Sequence, residues 1–174
     1  KNKNILQNNT VVGTKMSNSG LANYLEKNNI NFIRTDVGDR NIIKKMRQNN
    51  FVLGGEPSGH IILSNKSSSG DGLLASLEVL YTLKETKKKL SSLHTLFKPV
   101  PQITKSYTVN KNNTAEKILK TLKAEILKLN EVPKSTNRVI IRKSGTENKI
   151  RVMIESRDKN FAKKIMLKTK NILR

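Results

Sequence analysis

The chain has 174 residues, 35% of them hydrophobic, enough to fill one domain or two small ones. It contains no cysteine, which excludes a disulfide framework and a thiolate metal site. No apolar run approaches the roughly 20 residues that cross a bilayer, so no membrane partner is expected and a cytoplasmic protein is. Lys and Arg number 34 against 13 Asp and Glu, a net charge of +21 that raises nucleic acid as a partner. Only 4% of residues are aromatic, however, and the lysines scatter over expected helix surfaces instead of interleaving with stacking platforms.

Thr10 to Thr14 reads as a short buried strand, and Leu21, Ala22 and Leu25 then take helical spacing as far as Lys27. Asn31 to Thr35 is a second strand, and Ile42, Ile43 and Met46 mark a second helix. Phe51 to Leu53 and Ile61 to Leu63 are expected as strands around a glycine-rich loop. Asp71 is placed to cap a long apolar helix carrying Leu73, Leu74, Leu77, Leu80 and Tyr81. Strands alternating with helices predict an α/β domain. The texture changes at Pro99 and Pro101, which sets a boundary near residue 100. Gln102 to Val109 is strand-like, and Asn113-Thr114-Ala115-Glu116 forms a capping box before Ile118, Leu119, Leu122, Ile126 and Leu129. Two strands follow, Arg138 to Lys143 and Lys149 to Glu155. In the second, Ile150, Val152 and Ile154 alternate as on a half-buried strand. Asp158 is placed to cap a last helix bearing Phe161, Ala162, Ile165, Thr169 and Ile172, which completes a small α+β unit.

Two loops carry chemistry. In Gly54-Gly55-Glu56-Pro57-Ser58-Gly59-His60, glycines allow a ligand to come close, Glu56 offers acceptors to adjacent sugar hydroxyls, and Ser58 can donate or accept. Alone, this segment reads equally as a tight hairpin loop with incidental polar residues. The second runs from Arg142 to Arg151. A phosphate dianion wants converging donors: the forks of Arg142 and Arg151, the hydroxyls of Ser144 and Thr146, and backbone N–H groups around Gly145. Alone, it too reads as a hairpin with charged flanks. One loop suits hydroxyls and the other a phosphate, which together describe a phosphosugar.

Taken in order, these segments resemble the α-D-phosphohexomutases. Gly54 to His60 resembles the family's sugar-binding loop, and Arg142 to Met153 its C-terminal phosphate-binding loop. Val37-Gly38-Asp39-Arg40 and Ser69-Gly70-Asp71-Gly72 are similar to flanking segments of the phosphoglucosamine mutase branch. The resemblance runs from about Thr10 to the end. It implies the α/β/α third domain over residues 1–99, carrying the sugar-binding loop. Residues 100–174 would be a small α+β C-terminal domain with an antiparallel sheet, TATA-box-binding-protein-like, carrying the phosphate-binding loop. It also implies an isomerase that interconverts glucosamine 6-phosphate and glucosamine 1-phosphate, a step toward cell-wall precursors, through a phosphoserine and a sugar 1,6-bisphosphate, with Mg2+ assisting. Carried over by position, Glu56 and Ser58 contact sugar hydroxyls, and His60 lies near the ring as a candidate proton carrier. Arg142, Ser144, Gly145, Thr146 and Arg151 hold the phosphate that is not transferred. Pro57 replaces a residue that is usually polar in this branch, and Asn148 stands where proline is common, an exchange expected to loosen the loop.

The family's nucleophile needs a serine followed by His-Asn-Pro, and its metal a closely spaced aspartate cluster. Neither His60 nor His94 follows a serine, and Asp36, Asp39, Asp71 and Asp158 include no Asp-x-Asp pair. Lys1 opens the chain in place of methionine, so the expectation is the C-terminal part of a longer or split mutase, inactive alone. Its partners would be a phosphosugar and a separate N-terminal mutase chain. A phosphomannomutase or phosphoglucomutase fragment, a basic nucleic-acid-binding module and a non-functional remnant remain as alternatives.

Overall fold

The computed structural model describes residues 6–109, 115–127, 137–144 and 147–173. The chain separates into two compact units, Lys1–Pro99 and Val100–Arg174, each with its own sheet. Among the described residues no helix is long and apolar enough to cross a membrane.

The first unit alternates strands and helices: β1 (Thr10–Thr14), α1 (Ser19–Lys27), β2 (Asn31–Thr35), α2 (Asp39–Asn49), β3 (Leu53–Gly55), β4 (Ile61–Leu63) and α3 (Gly72–Thr86). The strands lie in the order β2-β1-β3-β4, with the first three parallel and β4 antiparallel to β3. Ile42 and Met46, four residues apart on α2, meet Val12, Phe51 and Ile62 to form the core. Gly13, next along β1, points to the other face, where Phe32 of β2 lies. On that face α1 and β2 line a common cavity through Ala22, Glu26, Phe32 and Arg34. The two crossover helices therefore cover opposite faces. The chain order reverses between β1 and β3, and the carboxyl ends of those two strands border the crevice where open α/β sheets take their ligands.

The third strand is displaced from the predicted Phe51–Leu53 to Leu53–Gly55. Phe51 is spent on closing α2. Asn50 takes a left-handed conformation (φ 54°) and the Phe51 amide donates to the Met46 carbonyl at 2.9 Å, which drives the ring into the core. Strand pairing begins only beyond that turn. Gly54 then lies directly under α2: a Cβ there would sit 2.5 Å from Met46 Sδ and 2.7 Å from Ile42 Cγ2. Glycine is what lets the helix settle onto the strand.

The second unit contains β5 (Gln102–Thr108), α4 (Ala115–Leu127), β6 (Asn137–Lys143), β7 (Lys149–Ser156) and α5 (Lys159–Ile172). Its sheet is antiparallel in the order β5-β7-β6. Ile150, Val152 and Ile154 of the central strand pack with Val109, Leu122, Ala162 and Ile165 into one core. Asp158 caps α5, accepting from the amides of Asn160 (2.8 Å) and Phe161 (3.2 Å). The predicted capping box of α4 falls largely outside the described residues, as does Leu129. β7 is not half-exposed as its alternation suggested, because Met153 and Glu155 on its other face are buried as well. Flanking strands supply the cover: Ile140 lies beside Met153, and Arg138 beside Glu155 with 3.1 Å between Nη1 and Oε1. A charge this deep is tolerated because it is paired.

Candidate functional site

Within the first unit, the parallel strands deliver three loops to one edge of the sheet. β1 ends in Lys15 to Asn18, β2 in Asp36 to Gly38, and β3 in the segment from Glu56 to His60. The first two are tied by an ion pair, Lys15 Nζ to Asp36 Oδ1 at 2.6 Å, on exposed side chains. After Gly38 (φ 118°) the chain enters α2, and the Asp39 carboxylate accepts from the Arg40 amide at 2.7 Å.

The segment after β3 is a tight hairpin with a defined shape. The Glu56 amide donates to the His60 carbonyl at 3.0 Å, and the Gly59 amide donates to the Glu56 carbonyl at 3.1 Å. Pro57 occupies the second position of the four-residue turn, where its fixed φ is favourable, and Gly59 has φ 97°, which a side chain would strain. The turn holds Glu56 half-buried at its base and exposes Ser58 and His60. His60 also has a seat. Gly70 pairs with Ile62 beside β4, and a Cβ on Gly70 would lie 2.9 Å from His60 Cδ2. The imidazole thus rests on the backbone of the segment that Asp71 closes by capping α3, its carboxylate accepting from the Leu74 amide at 2.9 Å. Two sequence segments 10 or more residues apart become one surface here.

Within the second unit, Arg142 of β6 and Arg151 of β7 stand directly opposite each other. They lie on the sheet face that the core helices leave open, since their neighbours Ile150 and Val152 face α4 and α5. Burial lowers the Arg142 pKa from its ordinary value, and the Arg151 charge adds to that. The Arg142 guanidinium stays cationic all the same. Arg151 Nε is buried with no acceptor among the described residues, while Nη2 lies 3.2 Å from Glu147 Oε2. The other oxygen of Glu147 is 2.6 Å from Lys149 Nζ. Hydrogen bonds from Lys149 and Arg151 hold the Glu147 carboxyl below the usual carboxylate range. Lys149 and Arg151 thus share the one Glu147 carboxylate, Arg142 stands opposite Arg151, and the surplus positive charge favours an arriving anion.

Ser144, which follows β6, is buried, and its amide donates to the Lys149 carbonyl at 2.8 Å. Gly145 and Thr146 lie outside the described residues. Asn148 does the reverse of loosening the loop. Its carbonyl accepts from the Val109 amide at 3.0 Å, and its side-chain amide donates to the Val109 carbonyl at 2.7 Å. A proline could keep only the first bond.

Glu147 was not among the residues singled out from the sequence, although its position four residues before Arg151 was the available signal. Among the described residues no three His, Asp or Glu side chains gather where a cation could be held, so they do not fit the magnesium ion that the resemblance implies.

A parallel α/β unit with a glycine hairpin at its switch point, joined in sequence to a three-stranded unit with facing arginines, defines a known class. The chain belongs to the phosphoglucomutase/phosphomannomutase family: residues 1–100 match its alpha/beta/alpha domain III and residues 85–171 its C-terminal domain. Within that family, curated relatives that it is similar to include phosphoglucosamine mutases. The one from Zymomonas mobilis is 43% identical over 164 residues, which cover 94% of this chain and 36% of the relative. The one from Pelagibacter ubique is 47% identical over 147 residues, covering 84% and 32%. The chain thus spans about a third of the length of the curated relatives it matches. Among solved structures it is similar in fold to an N-acetylglucosamine-phosphate mutase of the alpha-D-phosphohexomutase superfamily in its substrate complex. That match has a TM-score of 0.74 at 20% identity and covers 95% of this chain and 38% of that one. Aspergillus fumigatus N-acetylphosphoglucosamine mutase, in complex with GlcNAc-6P and magnesium, gives a TM-score of 0.74 at 19% identity with the same coverage.

Proposed function

We propose that this chain is the phosphosugar-gripping part of a cytoplasmic phosphoglucosamine mutase, with domains over residues 1–99 and 100–174. The enzyme would interconvert glucosamine 6-phosphate and glucosamine 1-phosphate through a phosphoserine and a sugar 1,6-bisphosphate. The observation that carries the reading is the pair Arg142 and Arg151, opposed on adjacent strands with a surplus of positive charge. Like charges held face to face are relieved by a dianion between them, and each planar fork can engage two phosphate oxygens. In this reading Arg142, Arg151, Ser144, Gly145 and Thr146 hold the phosphate that is not being transferred. Glu56, at the base of its hairpin, accepts from sugar hydroxyls, and Ser58 adds a contact at the tip. His60, exposed and braced on Gly70, is placed to carry a proton at the ring. Phosphoryl transfer depends on positioning and charge stabilisation, so a rigid grip on the far phosphate contributes directly to rate in the whole enzyme.

The chain supplies this grip but neither the nucleophilic serine nor ligands for Mg2+. Both would come from a polypeptide corresponding to the rest of the relatives' length. Calorimetric titration with glucosamine 6-phosphate is the direct test. Arg142→Ala and Ser144→Ala together should weaken binding by at least about 2 kcal/mol, the loss expected for charge-assisted phosphate contacts. Equal heats for the parent and the double variant would remove the assignment. In a coupled assay the chain alone is expected to give no turnover; sustained Mg2+-dependent conversion would contradict the division of labour.

A further inference from the structure

The cavity between α1 and β2 takes no part in the proposed phosphosugar grip. Its volume is about 520 Å³, within the range of small-molecule sites, and its lining residues belong to none of the three loops at the carboxyl edge of the sheet. Gly13 of β1 makes room for it: a Cβ there would lie 2.5 Å from Phe32 Cζ, so only glycine admits the ring. The ring in turn carries the Arg34 guanidinium, whose Cζ is 4.8 Å from the ring centroid. Arg34 follows Phe32 by two residues on β2 and shares its sheet face, where an apolar side chain under the helix would be the ordinary choice. Contact with the ring and a long hydrogen bond from Nη2 to the Ser17 carbonyl, 3.5 Å, hold this arginine half-buried.

The cavity is electrically polar. Arg34 lies by Ser17, just before α1 begins, while Glu26, Asn29 and Asn31 gather where α1 ends and β2 starts. Ala22 and Glu26, four residues apart, turn one face of α1 to it. Glu26 occupies the last turn of its helix, the end where a carboxylate is disfavoured and a cation is favoured. An ammonium group arriving there meets the carboxylate and the negative end of the helix together. At the other end Arg34 can take two oxygens of an anion through its planar fork. Asn29 and Asn31 add amide donors and acceptors suited to hydroxyl groups. Asn31 and Arg34 are three strand residues apart, about 10 Å, which is too far for an ammonium and a carboxylate carried on one carbon. The lining therefore suits a molecule with an amine at one end, an anion at the other and hydroxyls besides.

We propose that this cavity is a second binding site, separate from the two loops proposed to grip the phosphosugar, for an amino-sugar phosphate. The phosphate sits at Arg34, the ammonium at Glu26 and ring hydroxyls at Asn29 and Asn31. The choice of ligand rests on the mutase reading above, which makes glucosamine phosphates the molecules at hand, whereas the site is built from residues that reading does not use.

The test is amide NMR of the whole chain titrated with glucosamine 6-phosphate at about 0.15 M salt, where loose attraction to the net charge is screened. The amides of Asn29, Asn31 and Arg34 should shift and saturate along one curve, distinct from that of Ser144 and Arg151. Glucose 6-phosphate lacks the amine and glucosamine lacks the phosphate, so each should need at least about tenfold more ligand to half-saturate the cavity amides. Arg34→Ala should weaken the cavity curve by about tenfold or more and leave the Ser144 curve unmoved. Glu26→Gln, at an exposed position, should weaken glucosamine 6-phosphate several-fold and leave glucose 6-phosphate unchanged, which keeps the test valid if Arg34→Ala disturbs the fold. Cavity amides that do not saturate, equal affinity for glucosamine 6-phosphate and glucose 6-phosphate, or an unchanged curve in Glu26→Gln overturns the proposal. Saturation at the cavity with no response at Ser144 or Arg151 would remove the phosphosugar grip proposed above and leave this site. The reverse pattern would remove this site and leave the grip.

Discussion

Glu147 shows how a single side chain sets the electrostatic state of the hairpin between β6 and β7. Its carboxylate lies against Lys149 and Arg151, and under the proposed function a phosphate oxygen would compete with it for those cations. Replacing it with Gln removes a competing anion, so Glu147→Gln should bind inorganic phosphate more tightly than the parent, as read by calorimetry. Stability should respond in the opposite sense. The folded-state pKa of Glu147 lies below its ordinary value, so its stabilising contribution is present above the unfolded pKa and fades as pH falls through the folded one. The stability difference between parent and Glu147→Gln should therefore be flat above about pH 5 and shrink below about pH 4 in denaturation series. The basic and hydroxyl residues around Ser144, proposed to hold a phosphate, could be picked out in the sequence as residue types. Their opposition was not, because the facing of Arg142 and Arg151 depends on hairpin register. The bracing of His60 was equally invisible, since it needs Gly70 to return beside β4.

Local signals served the elements well wherever one residue could satisfy a helix end or one face could be buried. β1 and β2 occupy the expected residues, and Asp71 and Asp158 cap the helices they precede. Asp158→Ala should destabilise the second unit by about 1 kcal/mol, and Asp71→Ala should cost a similar amount in the first, as usual for a lost N-cap. Urea titrations of each variant measure this directly. Two readings went astray because tertiary context overrode local pattern. Phe51 looks like a strand residue but is used as the plug behind α2. β7 alternates in sequence yet is buried on both faces, one against α4 and α5 and the other among side chains of its flanking strands. The long apolar helix expected after Asp71 is present as α3, with Leu73, Leu77 and Leu80 exposed.

Across the whole molecule, the charge of +21 is spread over helix surfaces more than gathered into a site. Retention on DNA or heparin at low salt is therefore expected and should be lost between about 50 and 200 mM salt, the steep dependence of counterion release. Glucosamine 6-phosphate binding should persist through that range if it depends on partly buried, short-range contacts. Retention on DNA at physiological salt that followed a lysine cluster would support the nucleic-acid reading instead. The same charge bears on how the second unit stays separate from its neighbours. β5 lies at the margin of its sheet, exposed along nearly all of its length, with Ile103 42% accessible. A flat margin of this kind invites strands from other molecules to add on, the first step toward fibrous aggregation. Lys105 in the middle of β5 acts as a gatekeeper, because any strand stacking there in register would set ammonium groups side by side.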